Sequence, residues 1–418
     1  MLNTAKSVAS LLLSYGLLLL ANGMFGTLLG LRSKLEGFST EITGLIMAAY
    51  FIGMLLGAMN AARVVASAGH IRSFAAFASI MSVAVLAHLL ILNPISWIIL
   101  RAICGFCMAG MVMIVESWLN ERSTNENRGR VLSLYMMTSY LGGGLGQLIL
   151  PLADPASFEL FSVASIIFSI ALVPILLTRS AAPKPTKPER MSLKALYSIS
   201  PVGVIGTFTA GLSNSSINSM GPVFAKSIDM TIAEISFFMA SILLGGMLLQ
   251  FPVGRLSDRF DRRTVMIVVS ILTTVASLAI VWASGEQNIT FLYMTALIYG
   301  GVAYTIYPMS SAQANDLVDK ERLVQVSGSL LFAYGLGASS GPIITSQFMA
   351  YFGPETLFLC IAGGTSFLTL FVMLRIIQRP AGTKKSRFLP LAGLGASSKQ
   401  LYTSVQKTFV KKRPKKSE

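Results

Sequence analysis

Two ionisable residues stand inside one apolar run: Arg101 and Glu116, fifteen positions apart between Ile95 and Leu119. On a helix that spacing is about 22 Å along the axis and about 60° around it, so both can line one water-filled path. A charge at the centre of a bilayer costs roughly 2.5 to 3.5 kcal/mol on insertion scales, so such residues face a cavity or a partner and are candidates for ion coupling. Two plainer alternatives stay open: Arg101 snorkels to the nearer interface, and Glu116 pairs with Arg128 or Arg130. A second group offers hydrogen bonds without charge. Asn214 and Asn218 share one helical face in a serine-rich run, and Asn22, Tyr299, Tyr304 and Tyr307 add an amide and phenols. Together they suit binding of a polar solute, and singly each is explained as well by an inter-helix bond worth about 0.6 kcal/mol. A third group is ionic. Glu121, Arg128 and Arg130 follow the first run, and Gly254, Asp258, Arg259 and Arg262 lie in the stretch 254–263, which holds four arginines and two aspartates in ten residues. Charges so dense belong in a turn outside the membrane, where ion pairs between helices can open and close.

These residues need long helices to position them. The chain has 418 residues, 53% hydrophobic and 12% charged, with mean hydropathy +0.67, too apolar for a soluble globular protein. The fold class is all-α, a polytopic membrane protein. Apolar runs predict twelve helices, near 8–30, 41–61, 73–92, 96–118, 131–152, 158–178, 199–222, 234–253, 264–283, 290–311, 324–350 and 356–376. The first is too long for the core of a signal peptide and is expected to remain. With the N-terminus inside, 29 of the 33 Lys and Arg fall on the inner side, three (Arg32, Lys34 and Lys226) outside, and Arg101 within a span. Both termini are therefore expected in the cytoplasm. The net charge of +15 is spread over turns and a basic tail from 377 to 418. That pattern excludes a nucleic-acid surface and predicts attraction of the tail to anionic lipid.

Residues 179–198, rich in Pro, Lys and Ala, form a linker between six-helix units at 1–178 and 199–376. The units repeat. Gly53 Met54 Leu55 Leu56 recurs 193 residues later as Gly246 Met247 Leu248 Leu249, and an offset of 195 carries Gly105 to Gly300 and Glu121 to Asp316. The same shift sets Ala296 and Ser311 opposite Arg101 and Glu116, so the two charges break the pseudo-symmetry. His88 and Cys104 with Cys107 are expected to be an interfacial histidine and packing residues.

The stretch Gly254, Leu256, Asp258, Arg259, Arg262, Arg263 resembles the loop signature of major facilitator superfamily transporters, with Asp261 where the family carries a second glycine. Glu116 to Glu121 and Tyr307 Pro308 are similar to the bacterial YcaD-like branch. The resemblance implies two six-helix halves with the first, fourth, seventh and tenth helices lining a central cavity. It links Arg101 with Gly105 to the RxxxG pattern of proton-coupled antiporters, and Glu121 with Arg128 and Gly129 to an E(x6)RG gate. Gly146 is followed by Gln147, so the Gly-Pro signature of drug antiporters is absent and Gln147 becomes a possible substrate contact.

The expected function is secondary active transport of a small solute by alternating access, coupled to protons because no GxxxxGK[ST] loop is present, with export ahead of uptake. A passive facilitator of the same fold and a membrane-embedded receptor or scaffold remain as alternatives. No nucleophile, base and orienting group cluster together, so the chain is not expected to be an enzyme, and it needs no metal or cofactor. It is expected as a monomer in a bacterial inner membrane.

Overall fold

Short capped turns separate long apolar helices, and the caps are written in the sequence. The computed structural model describes residues 2–123, 128–177, 191–286, 288–319 and 322–378; the basic tail and most of the expected linker lie outside them. The first half comprises α1 (Leu2–Leu35), α2 (Thr40–Ala68), α3 (His70–Leu90), α4 (Pro94–Arg122), α5 (Arg128–Gln147), α6 (Glu159–Ile170) and α7 (Val173–Leu176). The second comprises α8 (Leu193–Ile199), α9 (Pro201–Ser227), α10 (Ile232–Arg259), α11 (Arg262–Gly285), α12 (Ile289–Ala303), α13 (Ile306–Asp316), α14 (Leu323–Phe352) and α15 (Thr356–Gln378). Taking α6 with α7 and α12 with α13 as single interrupted helices gives twelve long helices among the described residues; nine of them are long and apolar enough to cross a membrane, and ten if α8 and α9 form one bent span.

The caps have named donors and acceptors. Asn93 accepts from the amides of Ile95 and Ser96, with Pro94 at the first helical position of α4. Thr231 and Glu234 form a capping box on α10. Asp261, which replaces the expected glycine, caps α11 by accepting from the amide of Arg263 at 2.9 Å. The departure from the family pattern thus exchanges a flexible turn for a helix cap.

Several predicted boundaries move for physical reasons. The tenth predicted span extends to Asp316 and breaks at Tyr304 and Thr305, because Pro308 supplies no amide proton and its ring crowds the carbonyl of Tyr304. The fifth ends at Gln147, five residues early, where a short 3-10 turn with Pro151 follows. The sixth is interrupted one turn before Pro174. Leu193–Ile199, expected as linker, is a helix turned 120° from α9.

Glycine allows the closest helix contacts. A Cβ at Gly53 would stand 1.9 Å from the carbonyl oxygen of Ala102, and one at Gly105 would stand 1.9 Å from that of Tyr50, so α2 and α4 touch backbone to backbone. In the second half Gly245 and Gly300 pack α10 on α12 in the same way. The halves meet along α2 with α14 and α5 with α10. One end of the bundle carries the turns at Gly37 and Asp229, and the other carries the charged turn at Arg262. Two side-chain hydrogen bonds cross between the halves at the Gly37 end: Lys34 Nζ to Ser227 Oγ at 2.6 Å, and Ser236 Oγ to the carbonyl of Gln147 at 2.5 Å. There too Gly44 lets Ser346 and the carbonyl of Pro342 approach.

Candidate functional site

A cavity of about 70 Å³ lies between the halves, room for several water molecules. Its walls come from α1, α2, α4, α5, α9, α10 and α14. At 1.5 Å per residue, Arg101 and Tyr50 enter it about 10 to 15 Å from the Gly37 end. Four of the residues read as site candidates meet here: Asn22, Arg101, Gln147 and Asn218.

Arg101 is 4% exposed and makes no hydrogen bond or ion pair to a described residue; its Nε and Nη1 are wholly buried without a partner. Its guanidinium lies 4.4 Å from the ring centroid of Tyr50 and 5.6 Å from that of Phe25. Two cation–π contacts supply about 1 to 2 kcal/mol each, short of the several kcal/mol that burying a cation costs. Arg101 therefore faces the cavity and does not snorkel. No Asp or Glu lines the cavity with it.

The amides are held in fixed orientations. Tyr50 donates to Oδ1 of Asn22 at 3.0 Å, and Tyr304 donates to Oδ1 of Asn218 at 2.9 Å. Gln147 accepts from Thr27 at 2.8 Å and donates to the carbonyl of Gly23 at 3.0 Å, so both ends of its amide tie α5 to α1. Four methionines, Met47, Met54, Met108 and Met239, supply the adaptable apolar surface of the cavity. The sequence reading did not single out Tyr50, Phe25 or these methionines. No spacing marks them, because an apolar helix face looks the same whether it meets lipid or a cavity.

The other candidates lie elsewhere. Asn214 is buried and engages Tyr334; Tyr299 packs edge-on against Phe358 at 5.7 Å; Tyr307 packs against Tyr334 at 4.9 Å. None of the three borders the cavity, and Tyr304 acts on it through Asn218. For Tyr307 the placement follows from the break in the tenth span, which turns it out of the register a continuous helix would give. Glu116 does not share a path with Arg101. It is fully buried nearer the other end of α4, where Tyr135 donates to its Oε1, and Tyr135 in turn stacks on Tyr15 at 4.4 Å. His88, expected at the interface, is buried against Trp97 and Phe25. Trp97 holds it there by donating to the carbonyls of His88 and Ile91.

The charged turn is organised by Arg262, whose side chain is 1% exposed. Nε donates to Asp316 at 2.8 Å, Nη1 to Ser257 at 2.9 Å and Nη2 to Asp258 at 3.4 Å. This cluster ties α10, α11 and α13 within the second half. Gly254 is buried in α10 and Arg259 is exposed beside it. Glu121 and Arg130 are exposed and form no ion pair with a described residue, and the side chain of Arg128 lies outside the described residues. Among the described residues Arg262 is clamped on Asp316, and the expected gate through Arg128 lies outside them. Asp316 is the repeat mate of Glu121, and that offset was the signal that pointed to it.

The Major Facilitator Superfamily profile matches residues 11–202 and again 203–414. The chain belongs to the major facilitator superfamily. It is 32% identical over 372 residues to an uncharacterized MFS-type transporter, YcaD, of Escherichia coli O139:H28, covering 87% of this chain and 95% of that one. A YcaD of Escherichia coli O9:H4 is 31% identical over 381 residues, covering 90% and 97%. Among solved structures, the nucleoside transporter NupG superimposes with a TM-score of 0.75 at 15% identity, covering 88% of this chain and 98% of that one. A bacterial homologue of the human lysosomal transporter Spinster, in an inward-facing and unoccupied conformation, gives 0.67 at 13% identity with 99% of each chain covered. The chain is thus a multi-pass membrane transporter of this superfamily.

Proposed function

We propose that the protein is a proton-coupled secondary active transporter that moves a small solute by alternating access, with export ahead of uptake. The observation that carries the proposal is the position of the cavity: between two pseudo-equivalent halves, with Asn22, Arg101, Gln147 and Asn218 set in an apolar wall, and with the halves hydrogen-bonded together at the Gly37 end. The excess of Lys and Arg assigns the Arg262 end and both termini to the cytoplasm of a bacterial cell. The Gly37 end then faces outward, and its contacts must part for the cavity to open there. A monomer contains the whole site.

Coupling is assigned to Glu116 together with Arg101. A carboxyl buried in a span is cheap when protonated and costly when ionised, so gain or loss of a proton at Glu116 favours different packings of α4 against α5. Tyr135, on α5, contacts it directly. Arg101 sits on the same helix and carries that shift to the cavity.

The test is internal pH in proteoliposomes loaded with a pH dye and challenged with a solute panel. Solute-dependent proton flux in the wild type, lost in Glu116→Gln, supports the proposal. Solute equilibration without a pH change, surviving both Glu116→Gln and Arg101→Ala, would show a passive facilitator instead.

A further inference from the structure

We propose that Arg101 binds the anionic group of the substrate, and that the substrate is a small organic monoanion, carrying a carboxylate or a similar singly charged oxyanion on an apolar body. The proposal rests on the transport reading above and names the substrate class of its cavity.

Three observations converge on it. Arg101 is a buried cation at the cavity; among the described residues no carboxylate lines the cavity with it, and its Nε and Nη1 have no partner. A protein rarely keeps such a charge desolvated without a counter-ion, and here the counter-ion has to come from outside. The polar groups around it are donors as well. Asn22 and Asn218 each have Oδ1 occupied by a tyrosine hydroxyl, which leaves their amide NH2 groups as the ends offered to the cavity. A guanidinium and two NH2 groups match a ligand that only accepts, and an ionised oxyanion is such a ligand. Gln147 offers nothing further, since Thr27 and Gly23 hold both ends of its amide.

The apolar half of the ligand follows from the remaining wall. Met47, Met54, Met108 and Met239 border the cavity and can repack around bodies of different shape. At about 70 Å³ the cavity is small, so an anion with a short aliphatic body fits better than a ring-bearing acid, a nucleotide or a polyanion. One guanidinium also neutralises one charge, not several.

The experiment measures equilibrium binding by thermal unfolding of the purified full chain in nanodiscs, with no gradient imposed. The probes are sodium butyrate, hexanoate, benzoate and phenylacetate, their neutral amides, and sodium chloride and phosphate as inorganic anions. The acids are expected to raise the melting temperature in a saturable way, butyrate more than the larger hexanoate, benzoate and phenylacetate, while the amides do not. Arg101→Gln should weaken the response about tenfold or more, the share of one charge-assisted hydrogen bond or greater. Arg101→Lys should keep a reduced response, since it retains the charge without the fork. The comparison of acid with amide on the wild type stands even where a variant fails to fold. Equal shifts from acids and amides, an acid response unchanged in Arg101→Gln, a response to inorganic anions alone, or no response to any acid would each overturn the proposal. Acid binding without proton flux in liposomes would refute coupling and leave this proposal standing; proton flux driven only by neutral solutes would do the reverse.

Discussion

Replacing Gly105 by alanine tests how the site is positioned. A methyl there would lie 1.9 Å from the carbonyl oxygen of Tyr50 and 2.8 Å from the amide nitrogen of Met54, both backbone atoms that cannot rotate away. Restoring an ordinary contact of 3.4 Å requires α4 to retreat from α2 by about 1.5 Å. Overpacking of this kind costs about 1 to 3 kcal/mol. The displacement also reaches the cavity. Arg101 is one helical turn from Gly105, and its guanidinium rests 4.4 Å from the ring of the same Tyr50. Gly105→Ala should therefore lower the melting temperature of the purified protein and weaken binding of organic acids together. Gly144 in α5 provides the control: nothing lies within 4 Å of its Cβ position, so alanine there should be neutral or stabilising by up to about 1 kcal/mol through helix propensity. Wild-type melting in Gly105→Ala, or equal losses at both positions, would refute the close contact from which the effect is derived.

Other perturbations separate the remaining parts. Arg262→Gln removes two ion pairs and a hydrogen bond from a side chain 1% exposed, and should destabilise by about 3 to 5 kcal/mol in thermal or denaturant unfolding. Arg263→Gln, which loses a pair to the more exposed Asp261, should cost less than half as much. Gly44→Val inserts atoms where a Cβ is already 2.0 Å from Ser346 Oγ, so the halves cannot seal at the Gly37 end. A cysteine at Asn22 should then react faster with a water-soluble thiol reagent added from that side, and an unchanged rate would mean that this contact does not close the cavity.

Much of the fold was legible in one sequence because a bilayer leaves few solutions. Spanning segments must be long and apolar, and the offset from Gly53 to Gly246 exposes the repeat. Arg101 was legible as well, since a charge in an apolar run is conspicuous wherever it points. The clamp on Arg262 was half legible. Asp258 stood within one turn of it, whereas Asp316 is 54 residues away and only folding brings its carboxylate to 2.8 Å.

The sequence by itself determined most of the long helices, the duplication and the identity of the buried charge. The tertiary structure alone decided which polar residues share a cavity. Asn214 and Asn218 are one turn apart on α9, yet only Asn218 reaches the cavity, because Tyr334 engages the first and Tyr304 orients the second. Glu116 and Arg101 share a helix and still serve separate environments, since α5 covers one and the interface between halves exposes the other. The physical reason is common to both cases. A helix sequence fixes the direction of each side chain around its own axis, and packing against other helices fixes what lies in that direction.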